Sequence, residues 1–493
     1  MSAYLLGIDI GTSACKAALF CADGTVVSQA QSGYPVLYPK SGWAEQNPED
    51  WWAGVCKSVQ LVISTSGIST SDIAAIGVDG QSWSAVAVDG SGRPLCNTPI
   101  WTDTRARAEC DEIRTLVPEK ALFEVSGNSI QPSYTLPKIL WYRNHAPDVY
   151  RNARHVLQSN GFIVLRLTNE VTQDRSQGYG LCCYDMRKGR WDMDVASALG
   201  VRTDLLPPLF DCHQVVGHVS TAAAAQTGLM AGTPVVAGGL DAACGTLGAG
   251  VCTPGEAQEQ GGQAGGMSLC INRYAADSRL ILSAHVVPAQ WLLQGGTTGG
   301  GGALKWLREQ ICPELSFAEM SNLAETVPAG SERVQFLPYM AGERSPIWNP
   351  NACGVFFGLS YSQTRAHLIR AVMEGVGYAL RHNLETAKNA GAKISTLRAM
   401  GGSANSLVWT QLKSDITGIP IEVPASDTAT TLGAAILAGV GIGVYSDFPS
   451  AVSQTVSVQR IHQPDRSVEP VYEKGYRQYL ELYERLAPMM AQP

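Results

Sequence analysis

Apolar positions in this chain come in short unbroken runs, separated by glycine-rich polar turns. One apolar run from residue 5 leads into Asp9-x-Gly11-Thr12-Ser13, and a second leaves it through residue 20. Runs of this length bounded by turn residues read as buried strands. The N-terminus is therefore expected to be a strand, a tight polar turn and an antiparallel return strand. Asp23-Gly24 turns the chain into a third strand at 25–29. The period then changes. Asn47 can cap a helix and Pro48 can start it, and Trp51, Val55, Val59 and Val62 recur on one helical face. A buried strand at 76–78 runs into Asp79-Gly80-Gln81-Ser82-Trp83, and residues 85–88 predict another. The stretch 119–213 reads as helical and irregular, with a buried helix near 136–141 and no assignable chemistry.

The second half repeats the opening. Residues 257–260, the turn Gly261-Gly262-Gln263-Ala264-Gly265-Gly266, and residues 267–271 again predict strand, glycine turn and strand, which implies a duplicated domain facing the first. A strand at 291–294 runs into Gly295-Gly296-Thr297-Thr298 and four glycines that open a helix, an N-terminus suited to phosphate. Leu368, Val372, Val376, Leu380 and Leu384 mark a long amphipathic helix. A strand at 397–400 enters Gly401-Gly402-Ser403-Ala404-Asn405, a turn on which a nucleotide's base and ribose can lie. Strand 419–423, a small-residue helix at 431–440 and an outer helix at 472–490 complete the chain. Three meandering strands followed by alternating helices and strands resemble a ribonuclease-H-like α/β core.

Length makes this two domains: 493 residues exceed what one core usually supports. The expected division is 1–248 and 249–493. Hydrophobic residues at 45% and charged ones at 16% are globular proportions. A net charge of -7 argues against a nucleic-acid partner, whose phosphates need a basic surface. No apolar run reaches spanning length and the N-terminus lacks the basic head of a signal peptide, so no membrane partner is expected. Thirteen cysteines without CxxC pairs, two of them adjacent at Cys182-Cys183, suit reduced thiols in a cytoplasmic protein.

Three places carry candidate chemistry. In the first hairpin Gly11 permits close backbone approach, and the N–H groups and hydroxyls of Thr12 and Ser13 can cradle an anion. Asp9 can hold a hydrated Mg²⁺, which takes one or two protein carboxylates beside phosphate oxygens, and Lys16 adds a cation; an ordinary polar hairpin is the alternative. Trp101-Thr102-Asp103-Thr104-Arg105 sets a carboxylate and a guanidinium beside a large aromatic, as a binding site or a surface ion pair does. Gly238-Gly239-Leu240-Asp241 ends a strand and places Asp241 at a helix start, as a cap or as a base that something approaches.

In order along the chain, Asp9-x-Gly11-Thr12-Ser13, Trp101-Thr102-Asp103-Thr104-Arg105, Gly238-Gly239-Leu240-Asp241, the second glycine hairpin, Gly342-Glu343-Arg344-x-Pro346 and Gly401-Gly402-Ser403-Ala404-Asn405 resemble the FGGY carbohydrate kinases. The match spans nearly the whole chain and includes a second signature across 354–359 and 370–379. The resemblance is closest to the xylulokinase members. It implies two actin/hexokinase-like ATPase domains of the ribonuclease-H-like type, with a ligand cleft between them. It also implies ATP with Mg²⁺ as cofactors and phosphorylation of a sugar hydroxyl, most simply D-xylulose to D-xylulose 5-phosphate, with other ketoses or polyols as alternatives.

By that resemblance Asp241 is the catalytic base and Asp9 the carboxylate that organises Mg²⁺. Thr12, Ser13 and Lys16 lie on the first phosphate loop. Gln81, Ser82, Trp83, Asp103 and Asp241 are sugar contacts, and Gly262, Gln263, Gly299, Gly401, Gly402 and Asn405 are nucleotide contacts. Two departures stand out. The second hairpin reads Gly262-Gln263-Ala264-Gly265 where the family has Gly-Thr-Ser-Gly. The sugar loop reads Gln81-Ser82-Trp83-Ser84 where xylulokinases have Gln-Met-His-Gly, and these departures leave room for a weakly active sugar-binding homologue. A homodimer is the default assembly.

Overall fold

The computed structural model describes residues 4–426 and 428–491. The opening hairpin forms at the middle of the first sheet. Strands β1 (Tyr4–Ile10) and β2 (Ala14–Phe20) pair antiparallel with Asp9 opposite Lys16, and β3 (Val26–Gly33) pairs with β2, running past the expected end. Helix α1 (Pro48–Ser66) begins where Asn47 accepts the Glu49 N–H at 3.1 Å and ends at Gly67 in the left-handed conformation. Its apolar face, Trp51, Val55, Val59 and Val62, is fully buried under this sheet. Strand β4 (Ile73–Gly80) runs parallel to β1. The strand expected at 85–88 is shorter, Val86–Val88, and pairs outside the main sheet with His155–Leu157. Helix α2 (Thr135–His145) is the buried helix of the irregular stretch. Strands β5 (Val215–His218), β6 (Pro234–Val236) and β7 (Gly239–Leu240) complete a sheet ordered β5-β6-β4-β1-β2-β3, with β7 on β4. Helix α3 (Asp241–Gly248) leaves β7.

The second sheet repeats this plan. Strands β8 (Glu256–Gly261), β9 (Gly265–Ile271), β10 (Ile281–Ala284) and β11 (Trp291–Thr297) form the antiparallel side. Helices α4 (Gly301–Ile311) and α5 (Arg365–Asn389) precede β12 (Thr396–Met400). Helix α6 (Leu407–Thr417), β13 (Ile421–Pro424), α7 (Ala429–Gly441), β14 (Val458–His462) and α8 (Glu469–Met490) follow. The order is β10-β11-β9-β8-β12-β13-β14. In both sheets an antiparallel side, of three strands in the first and four in the second, is extended by two parallel strands and an antiparallel edge.

Helix α7 crosses the expected division at 248/249, because it packs on the first sheet. Gly7 and Gly77 sit side by side in β1 and β4, and a Cβ on either would lie 1.9 Å from a carbonyl of α7, Thr431 O or Ala434 O. A Cβ on Gly248 of α3 would lie 1.8 Å from Ala429 O. Three glycines thus form the groove that admits the α7 backbone, and any side chain there would expel it. Helix α8, expected as an outer layer, is part of a core: Tyr472, Tyr476 and Tyr479 are buried, and Tyr339 OH donates to Tyr479 OH at 2.6 Å. All thirteen cysteines are free thiols. Among the described residues no helix is long and apolar enough to cross a membrane.

Candidate active site

The first sheet collects three carboxylates at the carboxyl ends of its central strands. Asp9 is the last residue but one of β1, Asp79 is its register partner on β4, and Gly239, two residues before Asp241, is paired with Asp79 through β7. Asp9 is nearly buried, with Lys16 Nζ 3.6 Å from its Oδ2 and its Oδ1 without a partner. Burial pushes its pKa up, and the Lys16 charge pulls back. Asp79 is fully buried with neither oxygen partnered; burial, then the Asp9 charge, hold its pKa well above the carboxylate range. Asp241 is half-buried as the first residue of α3, not its cap, and its Oδ1 accepts the Ala242 N–H at 2.6 Å. Desolvation, with the Asp9 charge behind it, pushes its pKa up to about 7.

The hairpin turn beside these acids is held from outside. Gln46 Nε2 donates to Thr12 O at 2.8 Å, and the Trp101 indole N–H donates to Thr12 Oγ1 at 2.8 Å. Tyr34 OH donates to Gly11 O at 2.6 Å, while Ser13 is exposed. Thr12 therefore has its hydroxyl oxygen engaged, and its free capacity toward an anion lies in the backbone and in the hydroxyl proton.

Across from the acids, Ser82, Trp83, Tyr179, Leu240 and Ala242 of the first half face Gln260, Gly262, Gln263 and Arg344 of the second around a cavity of ≈ 400 Å³. Trp83 is 7% exposed, its ring 4.8 Å from Tyr134 and 5.9 Å from Tyr179, so it is both core and cavity wall. A second cavity of ≈ 620 Å³ lies between Gly261-Gly262-Gln263, Gly301, Leu304, Phe317, Gly402, Asn405 and Trp409. Gly262 and Gln263 line both. This second wall is braced from behind by a buried ion pair: Lys413 Nζ lies 2.6 Å from Glu259 and 2.7 Å from Ser403 Oγ, which ties β8 to the glycine turn after β12.

Several expected contacts are elsewhere. Gln81 is buried behind the cavity, its amide donating to Gln46 Oε1 at 2.8 Å. Asp103 is fully buried and saturated by the Ala44 N–H, the Arg105 N–H and the Arg105 guanidinium, so it anchors a loop and leaves no oxygen for a sugar. Gly299 is buried outside both linings, where a Cβ would lie 1.8 Å from Pro338 O; packing, not a nucleotide, requires glycine there. Gly401 is needed for its φ of +84°, while Gly402 has nothing within 4 Å of a Cβ. The N-terminus of α4 is not open to phosphate, because the Gly301 and Gly302 N–H groups donate to Gly262 O and Gln263 O.

Three residues escaped sequence reasoning. Asp79 was visible only as a polar strand end, and the signal lay in its alignment with Asp9, which pairing alone reveals. Tyr179 sits in the irregular stretch, and Arg344 was read as part of a motif without a role.

With the geometry in hand, similarity to known proteins is informative. Residues 4–248 match the N-terminal domain of the FGGY family of carbohydrate kinases, and residues 274–442 match its C-terminal domain. The xylulose kinase of Escherichia coli (strain K12) is 31% identical over 99% of this chain and 100% of its own length. A gluconokinase of Bacillus subtilis (strain 168) is 30% identical over 99% of this chain and 96% of its own. The crystal structure of xylulose kinase from Rhodospirillum rubrum superposes with a TM-score of 0.93 at 31% identity, covering 99% of this chain and 100% of that one. Two repeated sheets, two cavities that share Gly262 and Gln263, and these full-length matches converge: the chain belongs to the FGGY family of carbohydrate kinases.

Proposed function

We propose that the ≈ 400 Å³ cavity takes the acceptor sugar and the ≈ 620 Å³ cavity the adenine nucleotide, with D-xylulose or a closely similar pentulose as acceptor. The observation that carries this reading is that both cavities share Gly262 and Gln263. A nucleotide seated in one presents its phosphates at the mouth of the other. Residues 1–248 then supply one wall of the acceptor cavity, the first phosphate turn and the base, and residues 249–493 the facing acceptor wall and the nucleotide cavity.

Deprotonated Asp241 takes the proton of the attacking hydroxyl at Oδ2, since Oδ1 is held by Ala242. Its pKa near 7 suits a base that works at neutral pH. Ser82 and the edge of Trp83, both in the cavity lining, orient the acceptor. Lys16, beside Asp9, and the backbone of residues 11–13 are the groups the first half offers the transferring phosphoryl, and Arg344 is the cation in the acceptor lining. Asp9, a single carboxylate with one buried unpartnered oxygen, fits the coordination of Mg²⁺, which needs one or two carboxylates beside phosphate and water. When bound there the ion neutralises charge on the phosphates. Gly402 and Asn405 contact the nucleotide from the β12 side.

A second reading is favoured by Arg344. Its guanidinium lines the same cavity as Ser82 and Trp83, so the carboxylate of a sugar acid would find a cationic partner there. One assay separates the two: ADP release with Mg²⁺ATP across pentuloses, aldonates and polyols. The highest kcat/KM with D-xylulose supports the first reading. An aldonate preferred over every ketose transfers the assignment to the second, and no acceptor-dependent release would sink both.

A further inference from the structure

Helix α2 presents three side-chain donors along one face, at positions 135, 138 and 142, and they reach three consecutive carbonyls of the segment leaving β4. Thr135 Oγ1 donates to Ser84 O at 3.3 Å, Lys138 Nζ to Trp83 O at 2.9 Å, and Tyr142 OH to Ala85 O at 2.9 Å. Strand pairing gives no ladder partner to Trp83, Ser84 or Ala85, and the side chains of α2 take its place. Lys138 has a second acceptor, Ile100 O at 2.7 Å, at the start of the loop that carries Trp101, Asp103 and Arg105.

Core packing alone does not ask for an ammonium at this position. Lys138 is fully buried, with Leu136, Ile139 and Leu140 beside it on the helix, and a buried amine is costly unless its hydrogens are satisfied. The charged groups facing it are Asp103 and Arg105, which are bonded to one another. Both of its bonds go to neutral carbonyls, and an amine keeps two N–H donors in either protonation state, so the clamp does not depend on its charge. Trp83, whose carbonyl it grips, has φ 55°. A bulky residue is strained in the left-handed region and stays there only where its surroundings over-determine it.

We propose that Lys138 is a positioning residue of the kinase. By clamping the Trp83 and Ile100 carbonyls it holds Trp83 in its left-handed conformation, and so fixes the ring and the adjacent Ser82 hydroxyl that select the acceptor. The inference rests on reading the ≈ 400 Å³ cavity as the acceptor site. Without the clamp, Trp83 relaxes toward negative φ and its ring leaves the Tyr134–Tyr179 pair.

The test compares Lys138→Met, Thr135→Val, Tyr142→Phe and Trp83→Phe by steady-state kinetics on a pentulose and a polyol, with thermal unfolding as the check of folding. Lys138→Met is expected to lower kcat/KM for the better acceptor by about 10- to 100-fold, the scale of an ångström-level misplacement. It should also change the pentulose-to-polyol ratio and leave KM for ATP unchanged. Thr135→Val should change that ratio in the same direction and less. Tyr142→Phe, on the rung farthest from the cavity, should leave the ratio alone. A lowered melting temperature with an unchanged acceptor ratio in Lys138→Met makes the residue merely structural and overturns the proposal. If that variant does not fold, an unchanged ratio in Thr135→Val overturns it equally. Trp83→Phe separates the two layers: a changed ratio there with none in Lys138→Met defeats this inference alone, and no change in either defeats the acceptor-site reading beneath it.

Discussion

Asp9 and Asp79 are register partners on adjacent parallel strands, so two buried carboxylates emerge on the same side of the first sheet. Neither oxygen of Asp79 has a partner, and its pKa is held well above its ordinary value. A raised carboxyl pKa is a stability cost that grows with pH: the native state keeps a proton the unfolded chain has released, so stability falls as pH rises above the unfolded value of about 3.8. Asp79→Asn removes that slope. Denaturant unfolding without Mg²⁺ should show the variant gaining on the parent between mildly acidic and neutral pH. A constant difference across that range would mean that Asp79 is ionised in the native state.

The base can be tested by rate and by pH. Asp241→Asn preserves shape and removes basicity, so kcat should fall by about 10²- to 10⁴-fold with little change in KM for ATP. In the parent, kcat/KM for the acceptor should rise with pH and level off above a midpoint set by Asp241, whose pKa lies at about 7. An acidic limb that survives in Asp241→Asn assigns that titration to another group.

Glycines of similar appearance should behave differently. A Cβ on Gly402 meets nothing within 4 Å, and on Gly262 only Ala264 O at 3.6 Å. Gly402→Ala and Gly262→Ala should therefore fold normally and raise KM for ATP by about tenfold, the equivalent of about 1.4 kcal/mol. Gly299→Ala should instead destabilise the protein, because Pro338 O stands 1.8 Å from the added carbon. Normal KM for ATP in both of the first two variants would place the nucleotide elsewhere.

The Glu259–Lys413 pair predicts a reversal. Both residues are nearly fully buried. Lys413→Met strands the Glu259 carboxylate and should cost about 3–5 kcal/mol in chemical denaturation. Adding Glu259→Leu should recover part of that loss, since a neutral apolar pair carries no desolvation penalty. A double variant less stable than the single one would show that Glu259 supports the fold independently of Lys413.

Sequence alone determined the elements and their repetition. Residues 5–20 and 257–271 each read as strand, glycine turn and strand because short apolar runs and turn glycines are local signals, and both hairpins form. The order of motifs was equally legible, and with it the family. Tertiary structure decided which motif side chains keep free hydrogen-bonding capacity and which spend it inside the fold. Asp103 and Gln81 carry the chemistry of binding residues, yet Arg105 and Gln46 consume it inside the fold. Gly299 and Gly402 look alike in sequence, and only the position of Pro338 separates them. Asp79 joins the acidic cluster because β1 and β4, far apart in the chain, pair in one register. Helix α7 shows the same limit: the sequence read it as a small-residue helix, but Gly7, Gly77 and Gly248 decided what it packs against. Local propensity is written residue by residue, whereas the availability of a side chain depends on neighbours brought from hundreds of residues away.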